Sequence, residues 1–401
     1  MLNSQDCMML EDRYGAKNYK PIPVVISKAK GIWVWDPEGR KYMDCLSAYS
    51  AVNQGHRHPR IIKAMKKQLK SLTLTSRAFH NDRLGPFLKK LCDLSGFEVA
   101  LPMNTGAEAV ETGIKIARRW GYQVKKVPAN KAQIITCTEN FHGRTTTIVG
   151  FSTDDIARTD YGPFTPGFVT IPFNDPKALE KAITPDTVAF LVEPIQGEAG
   201  VIIPAEGYLK QVRDICTKHN VLLMTDEIQT GFCRTGKMFC FMHDDIKPDI
   251  LLVGKALGGG VMPVSAAITR KDIMDVITPG SHGSTFGGNP LACVVAEAAI
   301  DVLVDEQLDA RSTELGRYFL EGIKAIDSPF FKEVRGKGLM IAIQLTDEAG
   351  EARKYTEALK EKGILAKETH VHTIRFAPPL VITKPDIDWA LAILREVFTL
   401  S

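Results

Sequence analysis

Short apolar runs separated by amphipathic stretches dominate the middle of the chain. Residues 132–137, 188–192, 221–225 and 250–253 are mostly Ile, Leu, Val, Ala and Phe. That is the pattern of strands covered on both faces, not of half-exposed ones. Residues 207–219 between two of these runs read as a helix. Residues 100–103 lead through Asn104-Thr105-Gly106 into a helical stretch that ends near Trp120. The alternation predicts an α/β fold around a mainly parallel sheet. Ahead of it, residues 31–35 read as strand and Asp36-Pro-Glu-Gly39 as a turn. After Pro290 the pattern changes to a helix over 291–308, then strands over 339–343 and 373–376. We therefore expect a large domain of residues 51–290 and a smaller C-terminal α+β domain of residues 291–401, with an N-terminal segment of residues 1–50 packing against the small domain.

Composition narrows the classes. The chain has 401 residues, is 44% hydrophobic and 24% charged, and carries a net charge of +3. Nothing in that balance, and no Lys/Arg-rich run, argues for nucleic acid. No apolar stretch reaches membrane-spanning length. The eight cysteines show neither a CxxC pair nor zinc spacing, which fits reduced thiols in a cytosol-like compartment. Cys233 and Cys240 read as unrelated thiols. The opening Met1-Leu-Asn-Ser-Gln-Asp6 looks like neither a secretory signal nor an Arg-rich transit peptide. A cytoplasmic location is expected, or a mitochondrial matrix one if a transit peptide has been removed.

The candidate chemistry centres on Lys255. The run Asp249-Ile-Leu-Leu-Val-Gly-Lys255 delivers a lysine from a buried strand into the glycine-rich turn Gly258-Gly-Gly260. An unpaired ammonium in apolar surroundings is costly. A phosphate-binding P-loop would need glycine at 249 and Ser or Thr at 256; Asp249 and Ala256 stand there. Upstream, the run Val221-Leu-Leu-Met-Thr ends on Asp226. Pyridoxal phosphate (PLP) chemistry uses such a pair: a lysine amine holds the aldehyde as a Schiff base, and an aspartate keeps the pyridine nitrogen protonated.

Other motifs surround this pair. Thr105-Gly106-Ala107 opens a helix and suits an anion, although Thr105 and Glu108 also form an ordinary capping signal. In Phe141-His-Gly-Arg144 the ring could stack on a flat cofactor and the arginine bind a carboxylate, while His142 reads as structural. Glu193-Pro-Ile-Gln-Gly-Glu198 sets two acids on a loop, Glu193 as an ordering group and Glu198 as a partner for an arginine. The loop Ser281-His-Gly-Ser284-Thr285-Phe-Gly-Gly288 is no serine-hydrolase elbow, and its hydroxyls suit phosphate. Arg375 interrupts an apolar strand and needs an anion, structural or substrate.

Taken together, these residues resemble the class III, fold-type I PLP-dependent aminotransferases over nearly the whole chain. The resemblance rests on Asn18-Tyr19-Lys-Pro21, Tyr49-Ser-Ala-Val-Asn-Gln-Gly-His56, Leu72-Thr-Leu-Thr-Ser-Arg77, Pro102-Met-Asn-Thr-Gly106, Glu193-Pro-Ile-Gln-Gly-Glu-Ala-Gly200, Asp226-Glu-Ile-Gln-Thr-Gly231, His282-Gly-Ser-Thr-Phe-Gly-Gly-Asn-Pro290 and Arg375-Phe-Ala-Pro-Pro379. It implies a seven-stranded sheet in the large domain and PLP as cofactor. Lys255 would link to the aldehyde and move the proton, Asp226 would pair with the pyridine nitrogen, Gln229 would contact the phenolic oxygen, and Phe141 would stack on the ring. Gly106 and Ala107 would hold the phosphate, joined by Ser284 and Thr285 of a neighbouring subunit, which implies a homodimer with active sites at the interface.

The implied reaction passes the δ-amino group of L-ornithine to 2-oxoglutarate. Tyr19 and Arg144 would bind the α-carboxylate, and Tyr49 would line the pocket. Glu198 would mask Arg375 until 2-oxoglutarate needs it. N-acetylornithine or GABA remains open as the amine donor, a PLP racemase or decarboxylase as the reaction, and a non-catalytic PLP-binding module as a remoter reading. His142 stands where relatives carry another aromatic, which leaves the roles implied for Phe141 and Arg144 intact.

Overall fold

The computed structural model describes residues 2–399, so the ends of the expected N-terminal segment and C-terminal domain, residues 1 and 400–401, lie outside it. After a helix, Ser4–Tyr14, come three short strands, β1 (Lys28–Lys30), β2 (Trp33–Trp35) and β3 (Lys41–Asp44). The middle of the chain supplies β4 (Val99–Met103), β5 (Gln133–Cys137), β6 (Phe168–Ile171), β7 (Thr187–Val192), β8 (Leu222–Asp226), β9 (Ile250–Val253) and β10 (Ser265–Thr269). The last part adds β11 (Phe331–Lys337), β12 (Met340–Leu345), β13 (Ile364–Leu365), β14 (Lys367–Thr369) and β15 (Thr373–Phe376).

Strands β4 to β10 form one seven-stranded sheet in the order β4-β10-β9-β8-β7-β5-β6. Only β10 runs against its neighbours, so the sheet is mainly parallel. Every residue of β7, β8 and β9 is buried, which is why these strands read as unbroken apolar runs. The helix Gly106–Trp120 buries Val110, Ile114 and Ala117 on one face of the sheet. Helix Tyr208–Lys218 buries Leu209, Val212 and Cys216 on the other. A four-stranded antiparallel sheet, β11-β12-β15-β14, follows in the C-terminal part. The remaining sheet, β1-β2-β3-β13, joins the two ends of the chain, with Ile364 in parallel register beside Met43.

Expectation and structure part in specific places. The helix expected over residues 291–308 ends at Asp305, because Gln307 turns left-handed (φ 49°) and a second helix, Leu308–Lys324, begins. The strands β6 and β10 are additions to the expected set. Both are short, and Ser265-Ala-Ala-Ile-Thr269 carries too little apolar bulk to announce a central strand.

Arg234 locks the parts together. Its fully buried guanidinium donates to the carbonyls of Leu339 (2.8 Å) and Pro378 (2.7 Å) and to Asn53 Oδ1 (2.5 Å). Burial lowers its pKa to about 9. Replacing it by methionine strands three buried acceptors and should lower unfolding free energy by about 3 kcal/mol. Chemical denaturation measures this, and a change within error would show that water relieves the acceptors.

Candidate active site

Three neighbouring parallel strands deliver their charges to one edge of the sheet. Glu193 follows the last residue of β7, Asp226 is the last residue of β8, and Lys255 lies two residues beyond β9. Ligands of open α/β sheets sit at such carboxyl ends. A cavity of about 200 Å³ opens there, lined by Lys255, Asp226, Glu193, Phe141, Gly106 and Gln229 among others. Lys255 itself has φ 44°, a left-handed conformation that a side chain adopts at a cost and that clusters at functional sites.

The charges in this cavity are arranged in pairs. Asp226 Oδ2 accepts from His142 Nδ1 at 2.7 Å, and its Oδ1 accepts from the backbone N–H of Ile228 at 3.1 Å. The imidazole is buried, and burial alone would lower its pKa; the bond to Asp226 and the nearby Glu193 outweigh that and raise it. Burial raises Glu193 to about 7, and its carboxyl accepts from the N–H of Phe141 at 3.0 Å. It therefore orders the loop that carries the ring. Burial holds the Lys255 ammonium below its ordinary value, with Glu198 and Asp226 opposing the shift. A lysine lowered this way has more of the free amine a nucleophile needs.

A second set of groups borders the cavity. Arg375, 5% exposed, donates from Nη1 to Glu198 Oε1 at 2.7 Å. Gln229 Nε2 reaches the same carboxylate oxygen at 3.2 Å. Burial pushes the Glu198 carboxyl up, but Arg375 more than offsets it, leaving the pKa lowered. The guanidinium lies 5.2 Å from the centre of the Tyr49 ring. Residues 47–50 around that ring all have positive φ, at 51°, 46°, 59° and 72°, a left-handed turn costing roughly 1–2 kcal/mol per residue. Asp44 Oδ1 holds it by accepting from the N–H groups of Leu46 and Ser47, and Ser47 Oγ donates to the Ala377 carbonyl at 2.6 Å. A Cβ at Gly197 would stand 1.4 Å from Gln229 Oε1, so a side chain there would push the Gln229 amide out of its place beside Glu198.

A helix N-terminus adjoins the lysine. The helix Gly106–Trp120 starts with a capping box in which the Thr105 hydroxyl takes the Glu108 N–H and the Glu108 carboxylate takes the Thr105 N–H. The N–H groups of Gly106 and Ala107, both lining the cavity, belong to the first helical turn and have no intrahelical acceptor. Such free donors at the positive end of a helix suit an anion.

Four residues singled out in the sequence lie elsewhere. Arg144 is exposed and borders an adjoining vestibule of about 280 Å³, shared with Phe141 and Glu198. Tyr19 is 75% exposed on the N-terminal segment. Ser284 and Thr285 line neither cavity, and Ser284 Oγ instead accepts from Asn104 Nδ2 at 2.9 Å. Conversely, the structural reading of His142 left out its bond to Asp226. Its sequence context signals nothing of this, since the partner is 84 residues away. Glu227 also went unremarked. It is fully buried, raised by burial to about 7, and accepts from the N–H groups of Cys240 (2.8 Å) and Phe241 (2.7 Å), anchoring the segment that follows Asp226.

The donor set fits PLP: an amine of lowered basicity for the aldehyde, a carboxylate for the ring nitrogen, and a helix N-terminus for the phosphate. Among the described residues the Nε2 of buried His142 has no hydrogen-bond partner, so the bond from Nδ1 to Asp226 is what fixes the imidazole. Comparison with known proteins agrees. The family pattern described as aminotransferase class-III matches residues 14–398. An ornithine aminotransferase of Brevibacillus brevis is 61% identical over 386 residues, 96% of each chain. An ornithine aminotransferase structure from Toxoplasma gondii, reported with partial occupancy of PLP at its active site, superposes with a TM-score of 0.98 at 47% identity, covering 99% of this chain and 94% of that one. An acetylornithine aminotransferase structure from Elizabethkingia anophelis gives 0.90 at 48%, covering 100% of both chains. From the pattern match, the full-length identities and the fold together, the chain belongs to the class III aminotransferases and is a PLP-dependent transaminase.

Proposed function

We propose that the enzyme transfers the δ-amino group of L-ornithine to 2-oxoglutarate, giving glutamate 5-semialdehyde, which cyclises to pyrroline-5-carboxylate, and glutamate. The observation that carries this reading is the Glu198–Arg375 pair at 2.7 Å beside the lysine. A pocket serving both a diamino acid and a dicarboxylate must mask a cation for one and expose it for the other. Gln229, which shares the Glu198 oxygen, offers that carboxylate an alternative partner.

PLP, when bound, supplies the electron sink that labilises the C–H bond next to the reacting amine. Lys255 binds the aldehyde and carries the proton to and from the substrate carbon. Asp226, fixed by His142, holds a proton at the ring nitrogen. Phe141 stacks on the ring, positioned by Glu193, and Gln229 contacts the phenolic oxygen. Gly106 and Ala107 bind the phosphate, and Ser284 and Thr285 of the partner subunit join them in a homodimer. Tyr19 and Arg144 take the α-carboxylate, so the δ-amine is the end that reaches Lys255; Tyr49 lines the pocket and helps favour ornithine over GABA. We also infer the division into residues 1–50, 51–290 and 291–401, supported by the β3–β13 pairing that ties the first segment to the last. Eight free cysteines accord with work in the cytoplasm; none of the described helices is long and apolar enough to cross a membrane.

The Elizabethkingia anophelis structure favours one second reading, N-acetylornithine as donor, since it is as similar in sequence as the Toxoplasma gondii one. A spectrum of the purified protein with L-ornithine and no oxo-acid, with a chemical trap for pyrroline-5-carboxylate, separates the two. Bleaching of the cofactor colour with trapped product is expected. Colour changed by N-acetylornithine alone would overturn the substrate assignment. A Glu198→Gln variant leaves Arg375 unmasked. It should lose ornithine turnover and gain glutamate turnover, each on the order of tenfold, as for about 1.4 kcal/mol of differential binding. Equal losses on both substrates in steady-state assays would contradict the mask.

A further inference from the structure

The loop that carries Ser284 and Thr285 is held by a relay that no catalytic role requires. Lys115 Nζ lies 2.8 Å from His282 Nδ1, and an ammonium can only donate. Nδ1 is therefore the acceptor and Nε2 carries the proton. Nε2 lies 2.8 Å from Thr112 Oγ1, whose own hydroxyl donates to the Glu108 carbonyl at 2.7 Å. Burial and Lys115 both lower the pKa of His282, in keeping with this neutral tautomer. Lys115, Thr112 and Glu108 all belong to the helix Gly106–Trp120.

A second attachment lies one turn away. Asn104 Nδ2 donates to Glu108 Oε1 at 3.1 Å and to Ser284 Oγ at 2.9 Å. Ser284 Oγ also accepts from the Gly287 N–H at 3.1 Å. With both lone pairs engaged, the hydroxyl has its proton left to give, which is the form an anionic oxygen needs. Gly287 presses so closely on β4 that a Cβ there would stand 2.6 Å from the Pro102 carbonyl.

We propose that His282 is a positioning residue that locks the Ser284–Thr285 turn onto the helix Gly106–Trp120, so that one rigid element presents phosphate donors to two active sites. Its N-terminal N–H groups serve the site of its own chain, and the loop locked to its side serves that of the partner. The inference rests on the proposed reading of Ser284 and Thr285 as phosphate donors in trans. It adds that the two cofactor sites of a dimer are mechanically joined through this helix, with His282 as the joint.

The test is the PLP affinity of the apo-protein, titrated by absorbance, with hydrogen exchange across residues 281–288 and the mass in solution measured alongside. His282→Ala should weaken PLP binding by about tenfold and speed exchange in the loop, with the dimer mass unchanged. His282→Gln, whose amide can still donate to Thr112, should recover part of the affinity. Lys115→Met, at an exposed position, should move both readouts the same way by less. If Ser284→Ala weakens PLP but His282→Ala and Lys115→Met leave affinity and exchange unchanged, the latch is overturned and the loop's role stands. If Ser284→Ala with Thr285→Ala leaves PLP affinity unchanged, the reading of the loop fails and the latch with it.

Discussion

Replacing Lys255 by alanine is expected to lower turnover by about 10⁴-fold or more while leaving the protein folded. No other lysine lines the cavity among the described residues. The one other nitrogen base there, His142, is committed through Nδ1 to Asp226. Nothing is placed to take over the proton transfer at the substrate carbon. Stability should change little, for a reason visible in the contacts. Within the described residues no hydrogen bond ends on the Lys255 amine, so its removal orphans no buried partner, and a partly desolvated charge disappears. The carboxylates facing it keep their own partners, Glu198 with Arg375 and Asp226 with His142. The variant should still bind PLP through the helix N-terminus, without the covalent link. Steady-state turnover, equilibrium dialysis of PLP and thermal unfolding check the three parts. Substantial residual turnover would move the amine role elsewhere; loss of folding would mean that Lys255 supports the loop.

Much of this arrangement was legible in the sequence, and the physical reason is burial. Strand β9 was expected residue for residue, because Ile250-Leu-Leu-Val253 is covered on both faces and bounded by Asp249 and Gly254. β7 and β8 followed to within a residue or two. With three such strands in parallel, the place of Glu193, Asp226 and Lys255 at their carboxyl ends follows from the architecture. What stayed hidden depends on partners distant in sequence. The helix after Pro290 ends at a left-handed Gln307 whose conformation no local pattern announces. The left-handed turn around Tyr49 contains no glycine, and it exists because Asp44 and Ala377 hold it from outside. His142 reads as an ordinary polar neighbour, and Glu227 carries no signal at all, until the fold sets one against Asp226 and wraps the other in backbone donors. The dependence of Ser284 on Asn104, 180 residues away, is of the same kind.

Asp226→Asn is expected to cost roughly 10²- to 10³-fold in turnover, the usual effect of losing one preorganised electrostatic partner, and to change His142 at the same time. An asparagine preserves the shape but can no longer hold a proton on the ring nitrogen. It also withdraws the negative charge that favours the protonated imidazole. In the native protein burial lowers the His142 pKa, and the bond and charge of Asp226, with Glu193, raise it further than burial lowers it. A group whose pKa is raised by folding contributes stability that is fully present below its unfolded value, about 6.5, and is lost as pH rises through the folded value. In Asp226→Asn the larger opposing cause goes, burial dominates, and the pKa of His142 falls. The variant should therefore be less stable than the native protein in mild acid, with the difference shrinking as pH rises. Thermal unfolding as a function of pH reads this directly, and the imidazole resonance of His142 should titrate at lower pH in the variant. His142→Phe separates the two effects. It keeps Asp226 and its charge but removes the group that orients it, so the optical spectrum of bound PLP should shift its pH dependence while the phosphate contacts stay intact. A spectrum with unchanged pH dependence would mean that the Ile228 N–H alone suffices to hold Asp226, and that the imidazole serves packing against Phe151.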